Sequence, residues 1–465
     1  MRFGYLRPVG HRLTRLGLFF AVLSGCSATI PEGVYACDPE PCPSGFACVD
    51  GFCFRGTPDD AGIDARREDT AVDSTVDVPF DGDGVDAPRP DAPVPDGALP
   101  DGGPCGPCDG GVCVDGECCQ QIQQVSGRAF TICALTRDGD LFCWGDNAQT
   151  QIGPGPETIA APVAIDSPSG SWSFVDTGGS PVIGHTCAIG VDTGLYCWGD
   201  HSRGQLGVGG PAVGGRDTPT EVGGTGWTDV SVANLFTCGI RGGQLYCWGA
   251  PSSGALGVSP RPGGPVPAPG APVTTDTSWT DVDCNGAGCC AIRSAGLECW
   301  GDNIFGQVGV NRSGDEVDVP SPVATDVSDT SCGERHCCAV RSGGFCWGDA
   351  RALQLGTEDQ DAPIDPVALA EATMITAIEA GKTHSCAVGG LDTWCWGNND
   401  NGKLGIGSTV EQAVGQRVGL AATQLTAGYQ HTCGIDPEGR LWCWGLDPGT
   451  SRIETAPVPV CIPFD

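Results

Sequence analysis

Along most of the chain, apolar and polar positions alternate in short runs broken by turn residues. Residues 429–445 show one complete unit. Cys433, Ile435, Leu441 and Cys443 alternate with other residues, and Asp436-Pro437-Glu438-Gly439 lies between them. A period of two marks a strand; Pro sets φ and Gly supplies positive φ for a tight turn. The pattern predicts a β-hairpin, and the shorter stretch 338–346 has the same form.

The hairpin recurs. Cys-Trp-Gly stands at Cys143, Cys197, Cys247, Cys299, Cys346, Cys395 and Cys443, with steps of 54, 50, 52, 47, 49 and 48 residues. An earlier cysteine precedes each by eight to ten residues: Cys133, Cys187, Cys238, Cys290, Cys338, Cys386 and Cys433. A period near fifty is the signature of one supersecondary unit repeated in an array. Two cysteines at equal heights on antiparallel neighbours suit a disulfide. One cross-strand disulfide per unit is predicted, each closing a loop of about ten residues and contributing roughly 2–3 kcal/mol. The Trp of each triplet points away from its flanking Cys, so both faces of the hairpin carry bulky apolar groups. Blades packed around an axis bury both faces.

Gly-x-x-His-x-Cys, then Cys-Trp-Gly, then a Gly-Gln-Leu-Gly element resemble the regulator of chromosome condensation repeat family. The last element stands as 204–207, 254–257, 306–309, 353–356 and 402–405, more loosely at Gln151-Ile152-Gly153, and not at all in the seventh unit. The resemblance covers about residues 120–465 and implies an all-β fold with a seven-bladed β-propeller over 119–465. It further implies a ring closed by one blade that takes strands from both ends, here 121–125 and 456–461. The cysteines depart from intracellular members of the family.

The N-terminus reads as a targeting segment. Arg2, Arg7, Arg12 and Arg15 precede an apolar run from Leu16 to Leu23, and no acid occurs before Glu32. The run is too short to span a membrane. Leu23-Ser24-Gly25-Cys26 resembles the lipobox of bacterial lipoproteins, which makes 1–25 the signal peptide and Cys26 the lipidated residue; ordinary secretory cleavage nearby is the alternative. Ser27 then goes with the outer membrane. A tether, 26–36, leads to a Cys-rich mini-module, 37–53, with Cys37, Cys42, Cys48 and Cys53. A second module, 105–118, has Cys105, Cys108, Cys113 and Cys118. Both end in Cys-Val-Asp-Gly-x-Cys. Four cysteines allow three pairings, and Cys105-x-x-Cys108 also fits half of a zinc site.

The linker 54–104 separates the modules. From residue 57 it holds 13 acids against 3 Arg, with many Pro and Gly. It buries too little apolar surface to offset its ordering entropy, so it reads as disordered. Its Asp81-Gly-Asp-Gly-Val-Asp86 lacks the spacing of a calcium loop. Cysteine arithmetic adds two matched pairs, Cys284 with Cys289 and Cys332 with Cys337. Cys119 and Cys461 remain, one at each end of the repeats, and are predicted to join; Cys118 with Cys461 is the rival.

The formal net charge is −33. No basic footprint for nucleic acid is visible. His185, His336, His384 and His431 share one repeat position and read as blade packing; Trp172, Trp227 and Trp279 read as core. No nucleophile–base, metal or phosphate-cradling motif stands out. No cofactor or metal is expected. The reading is a non-enzymatic, monomeric, membrane-anchored extracytoplasmic binding protein for a protein or glycan. The alternative is an extracellular carbohydrate-active lyase or hydrolase with carboxylates in the propeller funnel.

Overall fold

The computed structural model describes residues 105–464, apart from 106–107, 109, 181, 311–313, 315, 359–366 and 369–374, together with three short strands nearer the N-terminus. Two units separate, 1–92 and 93–465. In the first, Phe46–Val49 and Phe52–Arg55 pair antiparallel with Cys48 opposite Cys53, and Tyr35–Ala36 adds to the edge. Cys26, most of the linker and the rest of the first module lie outside the described residues.

In the second unit, Gly111–Val114 and Glu117–Gln120 form a hairpin around the other Val-Asp-Gly turn, with Cys113 opposite Cys118. The bonds are Cys105–Cys113 and Cys108–Cys118, so disulfides engage both sulfurs that a zinc ion would need.

Seven antiparallel sheets follow, in consecutive sequence order, over 122–165, 172–221, 227–249, 279–325, 329–368, 377–418 and 424–460. These are the blades of a seven-bladed propeller, numbered 1 to 7. The first strand of each blade touches the first strands of its neighbours, and that of blade 7 touches that of blade 1. Six blades have four strands. Blade 3 has three, and a single bridge from Gly249 to Val266 stands where a fourth would pair. The Pro-rich segment 260–272 explains this, because proline gives no N–H to a ladder.

The repeated motifs meet between blades. The hairpin disulfides join directly opposed residues, such as Cys187 and Cys197, with Cα atoms 4.0–4.1 Å apart. That spacing is close to a non-hydrogen-bonded antiparallel pair. Cys284–Cys289 and Cys332–Cys337 tie the first strands of blades 4 and 5 to the second. Each hairpin disulfide faces the next blade, whose Trp faces back: Cys187 and Cys197 pack with Leu206 against Trp227 and Trp248. The indoles of Trp248, Trp300, Trp347, Trp396 and Trp444 each donate to a motif carbonyl in the preceding blade, at 2.9 Å (Gln205, Ala255, Gln307, Gln354 and Lys403). The last Gly of the motif is required by this contact. Gly207 has φ +71°, and a Cβ there would lie 2.5 Å from Trp248 Nε1.

Ring closure departs from the expectation. Among the described residues no blade mixes strands from both ends; blades 1 and 7 are each four consecutive strands. The repeat begins on the axis and ends on the outside, so each copy completes its own blade. Side chains of blade 7 hold blade 1 instead: Val125 N–H donates to Gln424 Oε1 (3.0 Å) and Gly127 N–H to Thr426 Oγ1 (2.8 Å). Outside the ring, Cys119 is bonded to Cys461, and Gln120 N–H donates to the Ile462 carbonyl at 2.8 Å.

Candidate functional site: the propeller axis

The first strand of every blade is an edge, and its outward N–H groups need acceptors. Alternate residues on the first strands of blades 1, 2, 3, 5 and 7 reach into the axis and supply them to the next blade. In the inner layer, Ser126 accepts from Thr177 N–H (3.1 Å), Asp176 from Val232 (2.7 Å), Ser231 from Cys284 (2.9 Å) and Ser331 from Ala380 (3.1 Å). In the outer layer, two residues earlier, Gln124 accepts from Val175 (3.0 Å), Asp229 from Val282 (2.9 Å) and Asp329 from Ile378 (2.8 Å). Ser, Thr or Gln would do the same work without charge. This axis nevertheless carries six carboxylates from five blades: Asp176, Asp229, Asp281, Asp283, Asp329 and Glu379.

One arginine answers them. Arg128, on the first loop of blade 1, crosses the ring to blade 4. It donates to Asp283 Oδ1 at 2.5 Å and to the Cys284 carbonyl at 2.6 Å. Burial works against its charge, but Asp283, Asp176 and Glu379 outweigh this and hold its pKa above the ordinary value. Burial drives the acids upward: Asp229 to about 7, Asp329 to about 6, Asp281 and Glu379 well above the carboxylate range, Asp176 less. Asp281 departs from the pattern of its layer. Its Oδ2 is buried and has no hydrogen-bond partner.

The four repeat histidines lie between blades, away from these acids. Nε2 of His185, His336 and His384 meets the hydroxyl of Thr237, Ser385 and Thr432 in the next blade, at 2.7–2.8 Å. Each hydroxyl already donates to a carbonyl of the preceding blade, so the imidazole nitrogen is the donor. Nδ1 is bare in all three. Burial lowers His185 to about 3 and His336 to about 4, so the rings are neutral. His431 lies at the closing junction, where its Nε2 sits beside Gly127 and Ile132 and has no partner. The predicted cysteines are packing groups too; the close sulfur trios, such as Cys238, Cys284 and Cys289, consist of disulfide sulfurs.

Sequence reasoning allowed for paired carboxylates without naming any. A weak signal was present: acids follow at alternate positions after the blade-opening Trp in 227–229 and 279–283. Arg128 carried none, because its partner lies 155 residues away.

The regulator of chromosome condensation (RCC1) repeat matches residues 122–151, 299–340 and 422–448. These segments cover the first three strands of blade 1, the end of blade 4 with the first two strands of blade 5, and the first three strands of blade 7. The protein is an RCC1-repeat propeller. Among curated relatives, the Ultraviolet-B receptor UVR8 of Arabidopsis thaliana is 31% identical over 175 residues, covering 33% of this chain and 38% of the receptor. The chain thus spans well under half of the curated relatives it matches. Solved structures superpose more broadly. Human WBSCR16 gives a TM-score of 0.60 at 19% identity, over 67% of this chain and 86% of its own. Prp20p of Saccharomyces cerevisiae gives 0.59 at 17%, over 74% and 88%.

Proposed function

We infer that this RCC1-repeat propeller is an interaction scaffold for a protein partner, held at a bacterial surface by a lipid on Cys26. The observation that carries the scaffold reading is the bracing of the ring: stapled blades and an axis crossed by the Arg128–Asp283 pair hold the loops in place. A preorganised surface loses less entropy on binding. Solved Prp20p is described with its binding to Gsp1p and histones, which are protein partners. The net charge of −33 disfavours nucleic acid here. Export is supported by the Arg-rich, apolar N-terminal segment and by the many disulfides, which persist in oxidising compartments. Among the described residues no helix is long and apolar enough to cross a membrane.

The lyase or hydrolase reading draws on the axial carboxylates. It is the weaker one, because Asp176, Asp229 and Asp329 bond the next blade and Asp283 is paired. Surface cross-linking on cells bearing the full chain, against cells bearing Cys26→Ala, tests the proposal. One reproducible protein adduct, lost with the membrane fraction in the variant, is expected. Glycan turnover by the purified chain without any adduct would overturn it.

A further inference from the structure

The axis is asymmetric in charge. Arg128 serves the inner layer, where it bonds Asp283 and feels Asp176 and Glu379. The outer layer lies one strand repeat away, about 7 Å along the axis. There Asp229, Asp281 and Asp329 come from three successive blades. The main charges acting on them are carboxylates: Asp176 and Asp283 on Asp229; Asp229, Asp329 and Asp283 on Asp281; Asp283 on Asp329. All three residues keep part of their surface exposed, as Glu379 of the inner layer also does, whereas Asp176 and Asp283 are buried, so an incoming group can reach the outer layer as a mouth.

Asp229 and Asp329 each accept from a neighbouring blade's N–H. Asp281, at the matching position between them, accepts from none, and its buried Oδ2 has no partner. A buried carboxylate oxygen left unpaired is costly and marks a place where a donor belongs. A bare metal ion does not fit: among the described residues, every ligand trio set within 4.8 Å is made of cysteine sulfurs, and these carboxylates form none. A guanidinium does fit, since its donors fan out in a plane and serve oxygens set apart. The same channel already holds one in this way, two residues deeper.

We propose that the Asp229–Asp281–Asp329 mouth is a socket for an arginine side chain presented by the protein partner. The socket rests on the scaffold reading. Its chemistry also requires proton release: a guanidinium favours ionised carboxylates, and two of these acids titrate near pH 6–7.

The probe is a capped Gly-Gly-Arg-Gly-Gly peptide, with citrulline in place of arginine as control. It is titrated calorimetrically into the full chain at pH 7 in two buffers of different ionisation enthalpy. Saturable binding is expected, at least tenfold weaker for citrulline and for Asp281→Asn, with a buffer-dependent enthalpy that reports released protons. Asp329→Asn serves as a second variant if Asp281→Asn does not fold. No saturable binding, equal affinity for citrulline, or undiminished binding by a folded variant overturns the socket. A surface adduct found alongside any of these results would leave the scaffold standing and remove only the socket.

Discussion

Asp281 shows how one position can oppose folding. A carboxyl whose pKa rises on folding holds a proton that the unfolded chain has already released. Stability is therefore lost as pH climbs from about 4 through the folded value. Asp229, Asp281, Asp329 and Glu379 all act in this direction. The buried histidines act oppositely. Their folded pKa lies below 6.5, so stability is lost as pH falls from there towards 3–4. The two slopes offset each other between about pH 4 and 6.5, and the carboxylate penalty stands alone above that window. Asp281→Asn removes its share. Its melting temperature is expected to exceed the parent's at pH 8, by the equivalent of about 1–3 kcal/mol, and to match it at pH 4. A gain of equal size at both pH values would show that charge is not the cause.

At the scale of elements, three blade junctions, 2 to 3, 5 to 6 and 6 to 7, repeat one small network. The motif carbonyl accepts an indole N–H and a hydroxyl from the next blade, and the hydroxyl in turn accepts from the histidine. Thr432→Val keeps the shape and leaves His384 Nε2 buried without an acceptor. The expected cost is about 1–3 kcal/mol in urea unfolding. His431→Phe, where Ile132 already denies an acceptor, is expected to cost less or to stabilise. Equal losses in the two variants would rule out the network account. Histidine is absent from blades 1, 3 and 4. Beyond blades 3 and 4 the facing positions of the next blade are Cys289 and Cys337, and a disulfide fills the place of the hydroxyl; beyond blade 1 the hydroxyl of Thr186 remains and donates to the Gln151 carbonyl.

At the scale of the molecule, the question is what keeps a circle of consecutive blades shut. Without a shared blade, the blade 7 to blade 1 junction rests on two side-chain bonds, backbone bonds from Ile122 N–H to the Gly439 carbonyl (2.9 Å) and from Tyr429 N–H to the Ala129 carbonyl (3.3 Å), the common core around Ile132, Trp144 and Ile435, and the Cys119–Cys461 bond. That disulfide spans 342 residues. In the chain-entropy model it contributes roughly 5 kcal/mol. The double variant Cys119→Ala, Cys461→Ala is expected to unfold at lower denaturant, with exchange protection lost first in blades 1 and 7. Uniform loss across all blades would show that the ring does not open at this seam.

The sequence by itself determined the unit, its number and its sheet type. Alternation around Cys433 and Cys443 and seven Cys-Trp-Gly triplets are local signals, and hairpins are local structures. It also marked the blade interface, because cysteine and tryptophan one residue apart must face opposite ways on a strand. Only the tertiary structure decided what lies on the axis. Ser231, Asp281 and Glu379 look alike as polar positions in first strands; their roles depend on the backbone of the next blade, about fifty residues on. The reach of Arg128 to Asp283, and the closing of the ring by whole blades, depend on which blades stand opposite and which stand adjacent. Those relations exist only once seven copies have bent into a circle.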